Sequence, residues 1–205
     1  LIGPFVIEML SSNFGPLAAA SILAASGLAH LLTLGLAIGL PGRQIEITLA
    51  ARDVNRPPLS VLIKATSIAA FAWFGMNGVM AHAPLAMAGC GLTFSMSAVA
   101  MAAHLSAMYW PGFTIGHFVS RVGALRTSLV GLALLCGGGL SLITQTTLIG
   151  FTISMSIAGY GWGMATIGAT AAIHRAGHPS ASSLAAHDVI LFLGALTGAA
   201  LFGRF

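Results

Sequence analysis

The sequence predicts an all-α protein, a polytopic bundle of transmembrane helices, and three observations lead there. Of 205 residues, 57% are hydrophobic and only 6% are charged, against about 25% charged in a soluble domain. Mean hydropathy is +0.96. The charges also cluster: Arg43, Glu46, Arg52, Asp53, Arg56 and Lys64 share one stretch. That leaves apolar runs of roughly 20 to 25 residues, the length with which a helix crosses a ~30 Å hydrocarbon core. A closed barrel also satisfies its backbone in lipid, but its strands are about ten residues long and alternate in polarity. These runs do not alternate.

Taken in order, residues 1–10 read as the end of a span that begins before Leu1, closed by the turn-like segment from Ser11 to Pro16. Complete spans are expected at 16–40, 65–88, 92–116, 127–145, 147–173 and 184–203. Both termini fall in or beside apolar stretches, so the chain is read as part of a longer polypeptide. Consecutive crossings place the connections at 41–64, 117–126 and 174–183 on one side, and these hold Arg43, Arg52, Arg56, Lys64, Arg121, Arg126 and Arg175. The opposite connections, near 11–15, 88–91 and 144–147, carry no charge. An excess of Lys and Arg marks the cytoplasmic side. Arg204 alone departs, at the outer end of the last span, where its long side chain can snorkel.

The connection from Pro41 to Lys64 is the longest, and its mixed charges suggest a short helix on the inner membrane surface before Pro57-Pro58. Small residues recur four apart in Gly35/Gly39, Gly112/Gly116, Gly159/Gly163 and Gly194/Gly198, the spacing at which helix backbones approach closely in lipid.

A pI near 9.8 invites a nucleic-acid reading, but the basic residues sit in loops between spans and not along one face. No nucleic-acid partner is expected. Cys90 and Cys136 have no metal-site spacing, so neither a structural disulfide nor a metal site is expected.

The inner connection reads Gly116-His117-Phe118-Val119-Ser120-Arg121-Val122-Gly123-Ala124-Leu125-Arg126. With Gly116, Arg121, Gly123 and Arg126 it resembles the short cytoplasmic loop motif of the major facilitator superfamily, with Ser120 where that motif has Asp. Tyr109-Trp110-Pro111-Gly112-Phe113 is similar to the approach to that loop in bacterial members. The resemblance implies a partial major-facilitator fold running from the end of the fifth span through the eleventh. Residues 1–40 would then close the N-terminal half, 41–64 would form the central cytoplasmic loop, and 65–205 would give five spans of the C-terminal half. It also implies a bacterial inner-membrane location, a small-molecule substrate bound between two halves made of inverted repeats, and the remainder of the same polypeptide as a partner.

Polar residues inside spans are expensive and mark candidate sites. His104, at mid-span, suits substrate contact or proton coupling, or else a neutral imidazole bonded to a neighbouring helix. His30 lies near mid-span beside Thr33 and reads first as structural. Asn77 shares a span with His82, and Asn77 suits a polar pathway or helix-to-helix bonding. Pro84 suggests a kink whose freed carbonyls His82 satisfies. Asp188, preceded by His187, is the one acidic residue within a complete span. It suits a proton carrier, or a carboxylate favoured by the helix N-terminal dipole. Gly159-Tyr160-Gly161-Trp162-Gly163 lacks the strand that a nucleotide-binding glycine run requires. It either turns Tyr160 or Trp162 into a central cavity or packs into glycine grooves.

The leading functional expectation is a secondary transporter that moves a small solute by alternating access. The proton gradient is a candidate energy source, since no P-loop is present. A non-transporting membrane subunit is the alternative, with His30 and His104 as ligands of haem. No span contains a central pair of histidines, so no cofactor is expected. An intramembrane enzyme is not expected, because no nucleophile motif accompanies the available Ser, His and Asp.

Overall fold

The computed structural model describes residues 28, 31–36 and 56–203. The chain divides into two units, residues 2–53 and, together with Leu1, residues 54–205. In the first unit residues 28 and 31–36 are helical and exposed. His30, Glu8, Gly39, most of the expected 16–40 span and the segment before Pro57 lie outside the described residues.

In the second unit every long element is a helix: α1 (Leu59–Gly89), α2 (Phe94–Tyr109), α3 (Pro111–Val122), α4 (Ala124–Ser141), α5 (Leu148–Ala176) and α6 (Ala181–Phe202). Helices α1 and α6, and α4 with the 3-10 turn that extends it to Thr144, are long and apolar enough to cross a membrane. The protein is an all-α helical membrane bundle.

Local chemistry sets the boundaries. Helix α1 begins six residues earlier than the apolar run suggested, because Pro58 offers its carbonyl to the N–H groups of Val61 and Leu62 at 2.9 and 3.1 Å. A proline at this edge sacrifices no helical hydrogen bond. Hydroxyls cap three further starts: Thr93 accepts from Met96 N, Thr147 from Gly150 N and Ser180 from Ser183 N, each satisfying one orphan donor of a first turn.

The span expected as one helix over 92–116 is two. Pro111 has no N–H to return to the preceding turn, so α2 ends at Tyr109 and α3 starts at Pro111. Helix α3 then runs past the expected end at 116 to Val122. The loop expected over 117–126 is reduced to Gly123, at φ +94°, a conformation that costs an L side chain about 1–2 kcal/mol.

Helix α5 is the hub, packed by α1, α2, α3 and α4, while α6 lies along α1. Small residues make these approaches possible. A Cβ on Gly161 or Gly168 would fall on the α4 backbone, and one on Gly131 or Gly138 on the α5 backbone. On another side of α5, a Cβ on Gly159 would lie 2.8 Å from the His104 carbonyl, and one on Gly163 would strike the Met108 carbonyl. Gly194 and Gly198 of α6 press the same way on the carbonyls of Ala70 and Phe74 in α1. Two of the expected glycine pairs, 159/163 and 194/198, therefore sit at close helix crossings. The pair 112/116 does not, since nothing lies within 4 Å of a Cβ at either position.

The register of these contacts gives direction. Residues 104 and 108 meet 159 and 163, so α2 and α5 run parallel; residues 70 and 74 meet 194 and 198, so α1 and α6 do too. The core forms three stacked clusters, around Ala69, Val119 and Ile173, around Met76, Leu135 and Ala158, and around Val79, Phe151 and Met155. Large apolar side chains such as Phe71, Leu140, Ile153 and Leu196 are exposed on the outside, as a bilayer solvent requires.

Candidate solute-binding face

The candidate residues divide among three places around α5. The first is the α1–α5–α6 face. Trp73 of α1 meets Trp162 of α5 edge-to-face at 5.6 Å and Phe192 of α6 at 5.7 Å. Asn77, one turn along α1, donates its Nδ2 to the Trp73 carbonyl at 2.9 Å. Asp188 is exposed and lies four residues before Phe192, hence on the same stripe of α6. Asn77, Trp162 and Asp188 thus border one surface.

Both indoles carry an unusual feature. The Nε1 atoms of Trp73 and Trp162 are buried and, among the described residues, have no hydrogen-bond partner. A buried indole N–H normally finds an acceptor, and leaving a donor unpaired costs about 1–3 kcal/mol.

The second place is the α2–α5 contact. His104 is fully buried, with Nδ1 2.7 Å from the Met155 carbonyl. A carbonyl only accepts, so Nδ1 carries the proton, and Nε2 is left buried without a partner among the described residues. The third is a groove of about 520 Å³ on the side of α5 flanked by α2 and α4, lined by Ser106, Trp110, Leu134, Ser156 and Tyr160 among others. The Tyr160 hydroxyl lies 3.2 Å from Thr114 Oγ1. Two residues apart on α5, Tyr160 and Trp162 serve different surfaces.

His82 is exposed and lines an apolar groove of about 690 Å³ between α1, α4 and Phe202. Among the described residues no hydrogen bond joins it to a carbonyl freed by Pro84. His187 turns inward, with Nδ1 2.8 Å from Thr66 Oγ1, while Asp188 is exposed on another face. Among the described residues no carboxylate is hydrogen-bonded to the Thr66–His187 pair.

The motif residues lie at one end of the bundle. Gly116, Ser120 and Arg121 belong to α3, Gly123 makes the turn, and Arg126 is in the first turn of α4. Arg175, from the last turn of α5, donates Nη1 to the Val119 carbonyl at 3.3 Å, which also accepts from Gly123 N at 3.2 Å. Ser120 returns its hydroxyl to the His117 carbonyl. At the other end Cys90 Sγ approaches the Gln145 carbonyl at 3.8 Å. Among the described residues the turn at Gly123 and the end of α5 at Arg175 thus share one end of the bundle, and the uncharged turns at Cys90 and Gln145 share the other.

Trp73, Phe192 and Thr66 escaped the sequence reading. Aromatic residues in an apolar span are ordinary, and nothing local links Thr66 to a histidine 121 positions away. Trp73 had one usable signal, its place four residues before Asn77.

Among known proteins, the chain is similar to the riboflavin transporter RfnT of Brucella anthropi, at 29% identity over 142 residues, which is 68% of this chain and 35% of that protein. The match therefore spans about a third of the transporter's length. No family model matches the chain, and no solved structure matches it. The chain is an integral membrane helical bundle with distant similarity to a curated membrane transporter.

Proposed function

We propose that the chain is part of a secondary transporter of the major facilitator type, which moves a small solute across a bacterial inner membrane by alternating access and is not an enzyme. The observation that carries this reading is the similarity to RfnT. The helix pairing supports it. Matching α1 with α5, and the α2–α3 span with α6, exchanges the parallel α2–α5 pair for the parallel α1–α6 pair. The matched helices run in opposite directions, as they do in an inverted-topology repeat. The Gly123 turn with Arg121, Arg126 and Arg175 beside it agrees with a cytoplasmic loop of that superfamily, and the remainder of the same polypeptide would supply the facing half.

The α1–α5–α6 face is the proposed solute surface, with His104 and Asp188 as candidate proton carriers. The test is uptake of radiolabelled riboflavin, and of a panel of small solutes, into proteoliposomes of the full-length polypeptide to which the chain belongs, with and without a protonophore. Saturable uptake abolished by the protonophore supports the reading, and its loss in His104→Ala or Asp188→Asn assigns the proton-carrying residue. A folded full-length protein that moves none of these solutes overturns it in favour of a non-transporting membrane subunit.

A further inference from the structure

We propose that Trp73, Trp162 and Asn77 form a binding site for a planar, uncharged heteroaromatic ring that carries carbonyl acceptors; the proposal rests on the transporter reading for its place in transport, but not for binding itself. Two buried indole N–H groups without acceptors point to an acceptor that arrives with a ligand, since side chains used only for packing have no use for the donors. The edge contact between the indoles, at 5.6 Å, places both donors in one aromatic cluster. Phe192, packed against Trp73, adds a third aromatic surface of the kind on which planar rings stack.

Asn77 supplies the complementary group. Its Nδ2 is held by the Trp73 carbonyl, which fixes the amide plane and leaves Oδ1 as an acceptor for a ring N–H. The charge pattern narrows the ligand further. Among the described residues α1 carries Lys64 one turn from its start, α5 carries Arg175 in its last turn, and α6 carries Asp188. No cation therefore stands at mid-span to balance an anionic ligand, and the carboxylate bordering the stripe disfavours one.

The alternative for the two N–H groups is ordered water. A water would leave affinity for aromatic rings indifferent to the N–H, which phenylalanine lacks. Because phenylalanine is also the smaller ring, anthracene, a tricycle without acceptors, controls for the lost stacking surface and is expected to lose less affinity than the acceptor-bearing probe. The probe is lumichrome, a bare tricyclic ring with two carbonyls and no sugar-alcohol chain, titrated into purified protein in detergent and followed by its own fluorescence and anisotropy. Saturable binding is expected, weakened about fivefold by Trp73→Phe and by Trp162→Phe, the effect of one lost hydrogen bond, and by more in the double variant. Trp110→Phe, in the other groove, leaves affinity unchanged. Size-exclusion profiles and helical circular dichroism like those of the parent establish that the variants are folded.

No saturable binding, or equal affinity in the double variant, overturns the site. If lumichrome binds with this N–H dependence and the full-length protein moves no solute, the transporter reading fails and the site stands. If solute moves and the double variant neither binds nor transports differently, the site fails and the transporter reading stands.

Discussion

His104 reaches the Met155 carbonyl because residue 159 is glycine. A Cβ there would lie 2.8 Å from the His104 carbonyl and 3.0 Å from its Nδ1. The imidazole thus lies in a notch made by a missing side chain. The same absence lets α2 and α5 run close together, so a polar bond and a backbone approach depend on one position.

Gly159→Ala is accordingly expected to force α2 from α5 and to lower stability by about 1–3 kcal/mol, as overpacking does. Gly116→Ala, where nothing lies within 4 Å, is expected to be neutral or to stabilise by up to about 1 kcal/mol through helix propensity. Thermal unfolding in detergent, followed by circular dichroism, distinguishes them. Equal midpoints for the two variants would contradict the notch.

The Gly123 turn gives the second prediction. At φ +94° a Cβ is strained, so Gly123→Ala is expected to cost about 1–2 kcal/mol. Arg175→Gln, which exchanges a single 3.3 Å bond near solvent for a weaker one, is expected to cost less than about 1 kcal/mol. The order of the two unfolding midpoints is the check; a larger loss for Arg175→Gln would show that the arginine, and not the turn, holds this end.

Thr66, in the third turn of α1, and His187, in the second turn of α6, tie the two helices near their starts. Thr66→Val keeps the shape and removes the hydroxyl, with an expected loss of about 1 kcal/mol, whereas Thr66→Ser keeps the bond. Hydrogen exchange should rise in residues 181–187 of the valine variant alone. Unchanged exchange would mean that glycine packing at 194 and 198 suffices to hold α6.

The two cysteines report topology. Cys90 is exposed beside the Gly91 turn, and Cys136 is exposed within α4. A membrane-impermeant maleimide is expected to label Cys90 from outside intact cells. Cys136, facing hydrocarbon, reacts only after the membrane is dissolved. Labelling of Cys90 only from the cytoplasmic side would invert the orientation drawn from the arginines.

The sequence showed that the protein is helical and membrane-spanning because hydropathy acts over whole spans. It also disclosed two glycine crossings, since small residues four apart have few other uses in lipid. It did not disclose the break at Trp110–Pro111 or the one-residue turn at Gly123, because a proline near a helix start and one inside a span look alike in an apolar run. Of the candidate site, Asn77, Trp162 and Asp188 were visible as polar or aromatic interruptions. Their grouping was not, because it depends on which side of α5 each neighbour occupies. Tyr160 and Trp162 show this most clearly: two positions apart in the chain, they face different partners.

The hub position of α5 also bears on biogenesis. Gly159, Gly161, Gly163 and Gly168 set α5 against the backbones of α2 and α4. The four helices it packs against, α1 to α4, all precede it in the chain. Crossings that depend on so many missing side chains are completed only when α5 itself is in place, so α5 is the element that closes the bundle during synthesis.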